Sequence, residues 1–239
     1  MSTVDGSPNI IRDNLIYYLD GSNRYSYTSG STVWNDLSKS QRTAGSLING
    51  VSYSTTNKGV LVFDGINDYV SLPQITTNQT EGKYSMELWI SFANTITPSN
   101  AINYMIIEAQ NLLLGGVDNY FYLLSSTAGR IGFQTFNPFS VTYTTTNNWV
   151  AGRWYNITGT YDISTSKLSL YVNGLLESST TIANCYFNTN SYFSLGSYSA
   201  PSKSWFFNGS IASLKIYNKT LTDSEILENY NVNRYRFNF

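Results

Sequence analysis

The chain has 239 residues, 14 Lys and Arg against 15 Asp and Glu, a net charge of −1 and no histidine. A near-neutral chain without a basic run lacks the grip on phosphate that nucleic-acid binding needs, and without imidazole there is no Ser-His or Cys-His nucleophile pair. Only 12% of residues are charged while 20 are Tyr, 12 Phe and 5 Trp, a composition that suits pleated, half-buried β surfaces with a polar but weakly ionic exterior.

Taken in chain order, Met1 to Arg12 is polar and has no apolar core of the kind a secretory signal carries. Residues 1–13 read as an amino-terminal arm, and 14–239 as one domain. Asn14–Asp20 reads as a first strand, followed by a long loop rich in Ser, Tyr and Gly to about Gly50. Val60–Phe63 and Tyr69–Leu72 bracket the turn Asp64-Gly65-Ile66-Asn67. Tyr84–Phe92 alternates: Met86, Leu88, Ile90 and Phe92 face one way, and Ser85, Glu87, Trp89 and Ser91 the other. Further strands are expected at Tyr104–Glu108, Tyr120–Leu124, Ile131–Phe136, Trp154–Tyr161, Tyr192–Leu195 and Gly209–Tyr217. Lys167–Val172 and Leu175–Ser178 flank Asn173-Gly174, the pair a type I′ hairpin turn prefers. Thr222 with Glu225 three residues on forms a capping box leading into Ile226, Leu227 and Tyr230, a helix expected to cover a sheet edge or the base of the fold. Many short strands with one helix predict an all-β, two-sheet antiparallel sandwich. No apolar run reaches the ~18 residues of a membrane span. The lone Cys185 cannot close an internal disulfide and reads as a buried, inert thiol.

Particular strings carry a resemblance. They are Leu19-Asp20-Gly21-Ser22-Asn23, Trp34-Asn35-Asp36-Leu37-Ser38, Val62-Phe63-Asp64-Gly65-Ile66-Asn67-Asp68-Tyr69-Val70 and Trp154-Tyr155-Asn156-Ile157-Thr158-Gly159-Thr160-Tyr161-Asp162. Leu170-Tyr171-Val172-Asn173-Gly174, Phe207-Asn208-Gly209-Ser210-Ile211-Ala212 and Glu225-Ile226-Leu227-Glu228-Asn229-Tyr230-Asn231 follow in order. Together, over roughly residues 14–235, they resemble laminin G-like domains of the concanavalin A-like superfamily found in tailed-phage structural proteins. The resemblance implies a jelly roll. It implies a non-enzymatic virion surface protein, either a capsid decoration or an accessory tail or fibre component, with carbohydrate adhesion. The alternatives are a lectin-type adhesin for host surface polysaccharide and a non-viral laminin G-like adhesion module. Expected partners are capsid or tail proteins, host-surface glycans and further copies of the chain, with neither nucleic acid nor membrane insertion. The expected location is the virion surface.

The chemistry is weighed residue by residue. A glycosidase on this fold needs two carboxylates flanking the scissile bond, and Glu87 and Glu108 are each the lone acid of their strand, so no enzyme activity is expected. Relatives in this superfamily hold Ca²⁺ on Asp, Asn and backbone oxygens. The ligands here would be Asp20 with Asn23, Asp64 with Asp68, and Asp118 with Asn119. Sugar stacking needs exposed rings, for which Tyr104, Tyr143, Tyr198 and Trp205 are the candidates, with Tyr25, Tyr27, Tyr53, Tyr186 and Tyr192 as further loop aromatics. Trp89 and Trp154, in strand-like runs, read instead as packing residues. Sequons stand at Asn78, Asn156, Asn208 and Asn218.

Overall fold

The structure, a computed structural model, describes residues 9–75, 82–100, 102–111, 116–124, 129–136, 139–182, 191–198 and 203–238, with backbone alone for residues 110, 111, 116–124, 136 and 191. Cys185, Tyr186 and the Asn78 sequon lie outside the described residues. The described strands are β1 (Leu15–Asp20), β2 (Val33–Trp34), β3 (Gly45–Ile48), β4 (Ser52–Ser54), β5 (Val60–Asp64), β6 (Tyr69–Ile75), β7 (Lys83–Phe92) and β8 (Tyr104–Asn111). They continue with β9 (Gly116–Leu124), β10 (Arg130–Phe136), β11 (Phe139–Tyr143), β12 (Trp154–Asp162), β13 (Lys167–Val172), β14 (Leu175–Thr181), β15 (Ser191–Leu195) and β16 (Asn208–Tyr217), and the helix α1 (Asp223–Arg234) follows.

Two antiparallel sheets stack. The first runs β14-β13-β12-β7-β16-β5-β4, with β1 also paired to β16; the second runs β11-β10-β9-β8-β15-β6-β3-β2. Alternation on β7 works as its sequence demands. Met86, Leu88, Ile90 and Phe92 enter the inter-sheet core beside Phe133, Ile157 and Phe193, because successive side chains of a strand point to opposite faces. The Asn173-Gly174 hairpin has both central residues at positive φ, 52° and 81°, and Val172 pairs with Leu175 across it.

Three expectations are corrected. The long loop after β1 holds β2 and β3, at two and four residues too short to show an alternating pattern, and β4 follows just past it. The boundary at residue 13 is too late. Ile10 is buried in a cluster with Leu15, Tyr18, Tyr217 and Ile226, and the Ile11 N–H donates to Asn229 Oδ1 at 2.8 Å, so residues 10 and 11 belong to the domain. The helix covers the outer face of the first sheet rather than an edge.

That last arrangement accounts for Trp89 and Trp154. Both point outward from the first sheet, yet both are buried, because the segment after α1 lies across them. The Phe237 ring stacks on Trp89 at 4.3 Å between centroids and sits 4.7 Å from Trp154, while Tyr230 stacks on Trp89 at 5.7 Å. The capping box forms: Thr222 Oγ1 accepts from the Glu225 N–H, and Glu225 Oε2 accepts from the Thr222 N–H at 3.0 Å. Arg236 then pins the segment. Its guanidinium pairs with Asp20 Oδ1 at 2.8 Å and donates to the carbonyls of Asn57 and Gly59.

Candidate functional site

The outer face of the second sheet carries most of the ring candidates. On β8, Tyr104, Ile106, Ile107 and Ala109 face the core, with an irregular register between Met105 and Ile107. Met105 turns outward and packs against Val141, Tyr143 and Tyr198. The chain leaving β15 turns at Gly196, whose φ of +88° suits glycine and where a Cβ would lie 2.9 Å from the Phe63 ring. Tyr198 and Ser204 then exchange two backbone hydrogen bonds of 2.8 and 3.0 Å.

Next to Ser204, Trp205 has φ +51°, a conformation in which a bulky residue is strained. Its carbonyl accepts from the Met105 N–H at 2.8 Å, which holds the strained backbone to β8. Its ring stacks on Tyr198, 4.9 Å between centroids and 24° from parallel, and stays 38% exposed. Three of the four ring candidates, Tyr143, Tyr198 and Trp205, therefore share one surface. Tyr104 does not. It is buried on the opposite face of β8 against Phe92 and Phe207, because it stands one residue before the outward-facing Met105. Of the further loop aromatics, Tyr27 is buried and Tyr25 is exposed. Tyr192 is exposed on β15, two residues before Ser194 and on its face.

A polar row runs beside the rings. Ser46, Ser71, Ser194 and Glu108 lie in register on β3, β6, β15 and β8, so their side chains share a face. Ser194 Oγ bonds Ser197 Oγ at 2.7 Å and accepts from Lys203 Nζ at 2.9 Å, and that ammonium lies 4.2 Å from the Tyr69 ring centroid. Burial lowers the Lys203 ammonium's pKa while the nearby Glu108 charge opposes this, and burial and then Glu108 raise the Tyr198 phenol. The exposed part of this cluster is the Trp205 indole with Lys203, over buried Glu108, Ser194 and Ser197; a flat ring beside an ammonium suits a polyhydroxylated ligand with an apolar face. Lys203, Tyr69 and the serine row escape sequence reasoning because separate loops and strands bring them together. The strict alternation of β15 and β6 was the available signal.

The calcium candidates fare differently. Asp20 is buried and already neutralised: Oδ1 accepts from Arg236, from the Ser22 N–H at 2.9 Å and from Ser22 Oγ at 2.8 Å, and Oδ2 accepts from Tyr18 at 2.9 Å. Asn23 Oδ1 caps the Tyr25 N–H at 2.9 Å. Asp64 Oδ1 accepts from the Ile66 and Asn67 N–H groups, closing the turn. Asp68 Oδ2 accepts from the Asp64 N–H at 3.1 Å, and its Oδ1 is buried without a hydrogen bond. The side chains of Asp118 and Asn119 fall outside the described residues. Among the described residues no three His, Cys, Asp or Glu side chains gather, and the Asp20 and Asp64 carboxylates are engaged by the Arg236 guanidinium and by backbone N–H groups. The Asn156 sequon is also closed, because its side chain is fully buried.

Solved structures share the architecture at low identity. Domain 4 of AbnA, a GH43 extracellular arabinanase from Geobacillus stearothermophilus in complex with arabinotriose, superposes at TM-score 0.66 with 18% identity, over 92% of this chain and 100% of that one. The binding domain of botulinum neurotoxin DC in complex with SialylT gives 0.69 and 16%, over 94% of this chain and 52% of that one. The same domain in complex with rat synaptotagmin II gives 0.68 and 16%, over 94% and 53%. The chain thus spans about half the length of the neurotoxin domains. No curated protein matches its sequence. A family model described as the Concanavalin A-like lectin/glucanases superfamily matches residues 64–227, and the chain belongs to that family.

Proposed function

We propose that this domain is a non-enzymatic glycan-adhesion module displayed on a virion surface, and that it holds its ligand on the outer face of the second sheet. The observation that carries the adhesion reading is Trp205: a strained backbone holds an exposed indole on Tyr198, two residues from the exposed Lys203. The arabinotriose and SialylT complexes of its structural neighbours support a sugar ligand. Against hydrolysis stands the placement of the two lone strand acids. Glu87 faces outward from the first sheet, buried against Lys215, and Glu108 faces outward from the second. Packed sheets are ~10 Å apart, so two such acids do not flank one glycosidic bond. The virion assignment rests on the resemblance of the ordered motifs to phage laminin G-like domains. Here the module contributes attachment, as a decoration of capsid or tail.

The test is a glycan array with arabino-oligosaccharides and sialylated glycans, run with and without calcium, on the wild-type chain and Trp205→Ala. The expected result is binding that falls at least ~10-fold in the variant, corresponding to ~1.4 kcal/mol, with unchanged melting temperature. An array blank for the wild type sinks the adhesion reading. Immunogold labelling of purified particles tests display, and unlabelled particles refute it.

A further inference from the structure

Beneath α1, on the outer face of the first sheet, lies a set of groups with no part in adhesion. Glu87 on β7 pairs in register with Lys215 on β16, and Lys215 Nζ sits 2.6 Å from Glu87 Oε1 with each side chain 1% exposed. The other carboxylate oxygen, Oε2, accepts from Asn229 Nδ2 of α1 at 2.7 Å, and Asn156 Nδ2 on β12 reaches Oε1 at 3.2 Å. Asn229 and Asn156 are both fully buried. The Asn229 amide has a defined orientation, because its Oδ1 accepts the Ile11 backbone N–H at 2.8 Å while its Nδ2 also donates to the Tyr217 hydroxyl at 3.0 Å. A buried ion pair is a poor source of stability, since desolvation offsets most of its attraction. An amine, a carboxyl and a primary amide in a dry pocket are also the reactants and proton carrier of an amide exchange.

We propose that Lys215 and Asn229 condense into an intramolecular amide cross-link, with Glu87 as the catalytic residue. Glu87 Oε1 takes a proton from the Lys215 ammonium across their hydrogen bond, leaving a neutral amine. The Nζ lone pair forms a bond to Asn229 Cγ, and the carbonyl electrons move to Oδ1, where the Ile11 N–H holds the oxyanion. Glu87 delivers its proton to Nδ2, the Cγ–Nδ2 bond breaks as the carbonyl re-forms, and ammonia leaves. Glu87 then takes back the surplus proton from Nζ and ends as the neutral acid. One primary amide and one amine become one secondary amide and ammonia, with no oxidant, metal or co-reactant. The Glu87 carboxylate, bonded to both groups, supplies proximity, and burial excludes the water that would otherwise deamidate the asparagine. Asn229 is the acceptor rather than Asn156 because the carboxylate places one oxygen on the nucleophile and the other on the Asn229 leaving nitrogen. The Asn229 carbonyl is polarised by the Ile11 backbone N–H, whereas Asn156 Oδ1 accepts from the Thr158 hydroxyl at 3.4 Å.

The experiment is intact-mass measurement of the purified, denatured full chain, followed by tryptic mapping. The expected result is a mass lower than the sequence value by one ammonia and a branched peptide joining the Lys215 and Asn229 segments, with no cleavage after Lys215. Both signs disappear in Glu87→Gln and Lys215→Arg. Succinimide formation at Asn49, Asn173 or Asn208, each followed by glycine, also loses ammonia, so loss without the branched peptide overturns the proposal, as does an unaltered mass. A branch to Asn156 overturns the choice of acceptor. The wild-type measurements stand whether or not either variant folds.

Discussion

Replacing Phe237 by alanine removes the ring that seals the two outward tryptophans of the first sheet. Phe237 is 6% exposed and lies 4.3 Å from Trp89 and 4.7 Å from Trp154. Truncating a buried Phe costs about 3–5 kcal/mol, and its aromatic contacts contribute about 0.5–1.5 kcal/mol each within that total. Phe237 lies near the chain end, where the cover relaxes more readily than an inter-sheet site, so the expected loss is the low end, about 3 kcal/mol. For a chain of this size that lowers the melting temperature by about 6–12 °C. Calorimetry reads the shift, and tryptophan emission should move to the red in the folded variant as Trp89 and Trp154 meet water. Glycan binding should be unchanged, since Trp205 is on the other sheet. The reverse pattern is expected for Trp205→Ala: binding lost, melting unchanged. A melting temperature within about 2 °C of wild type, or unshifted emission, would show that the carboxy-terminal segment does not form this cover.

Two further outcomes follow from the same face. Arg236→Met leaves the Asp20 carboxylate buried without its cation, and urea unfolding should report a loss of about 3–5 kcal/mol, refuted by a loss under about 1 kcal/mol. Burial pushes the Glu225 carboxyl up, but hydrogen bonds from Lys219 and the Thr222 N–H outweigh it and hold the group below its usual 4.5. A carboxyl depressed on folding adds stability that is complete above that value and is lost as pH falls through the folded-state value. Hydrogen-exchange protection of α1 should therefore fall as the pH drops below the usual 4.5 of a glutamate, and Glu225→Gln should flatten that fall.

Much of the sandwich is readable in the sequence where one physical rule acts locally. The β7 alternation, the Asn173-Gly174 turn and the Thr222–Glu225 box each depend on residues within a few positions of one another. What escaped reading is set by distance along the chain. β3 is a strand because β6 offers it an edge, and β2 because β3 does in turn, not because Gly45–Ile48 alternates. Trp89 and Trp154 read correctly as packing residues, but nothing near them announces that the cover is Phe237. The site divides the same way. Tyr198 and Trp205 meet beside a backbone bridge between Tyr198 and Ser204, six residues apart, whereas Lys203 reaches Tyr69 and Ser194 only in the folded chain. Tyr104 was misplaced by a single position of strand register, and Asp20 as a metal ligand by a guanidinium 216 residues away.

The position of β16 bears on how the chain is made. It is the last strand, yet β7 lies along one side of it, and β5 and β1 divide the other. Until Asn208–Tyr217 leaves the ribosome, β1 has no partner at all among the described strands, and β5 has only the three residues of β4. Pairings this remote in sequence form slowly and expose unsatisfied strand edges while they wait. A ribosome-stalled fragment ending before β16 should therefore be protease-sensitive and recruit chaperones, and protection should come in one late step rather than strand by strand.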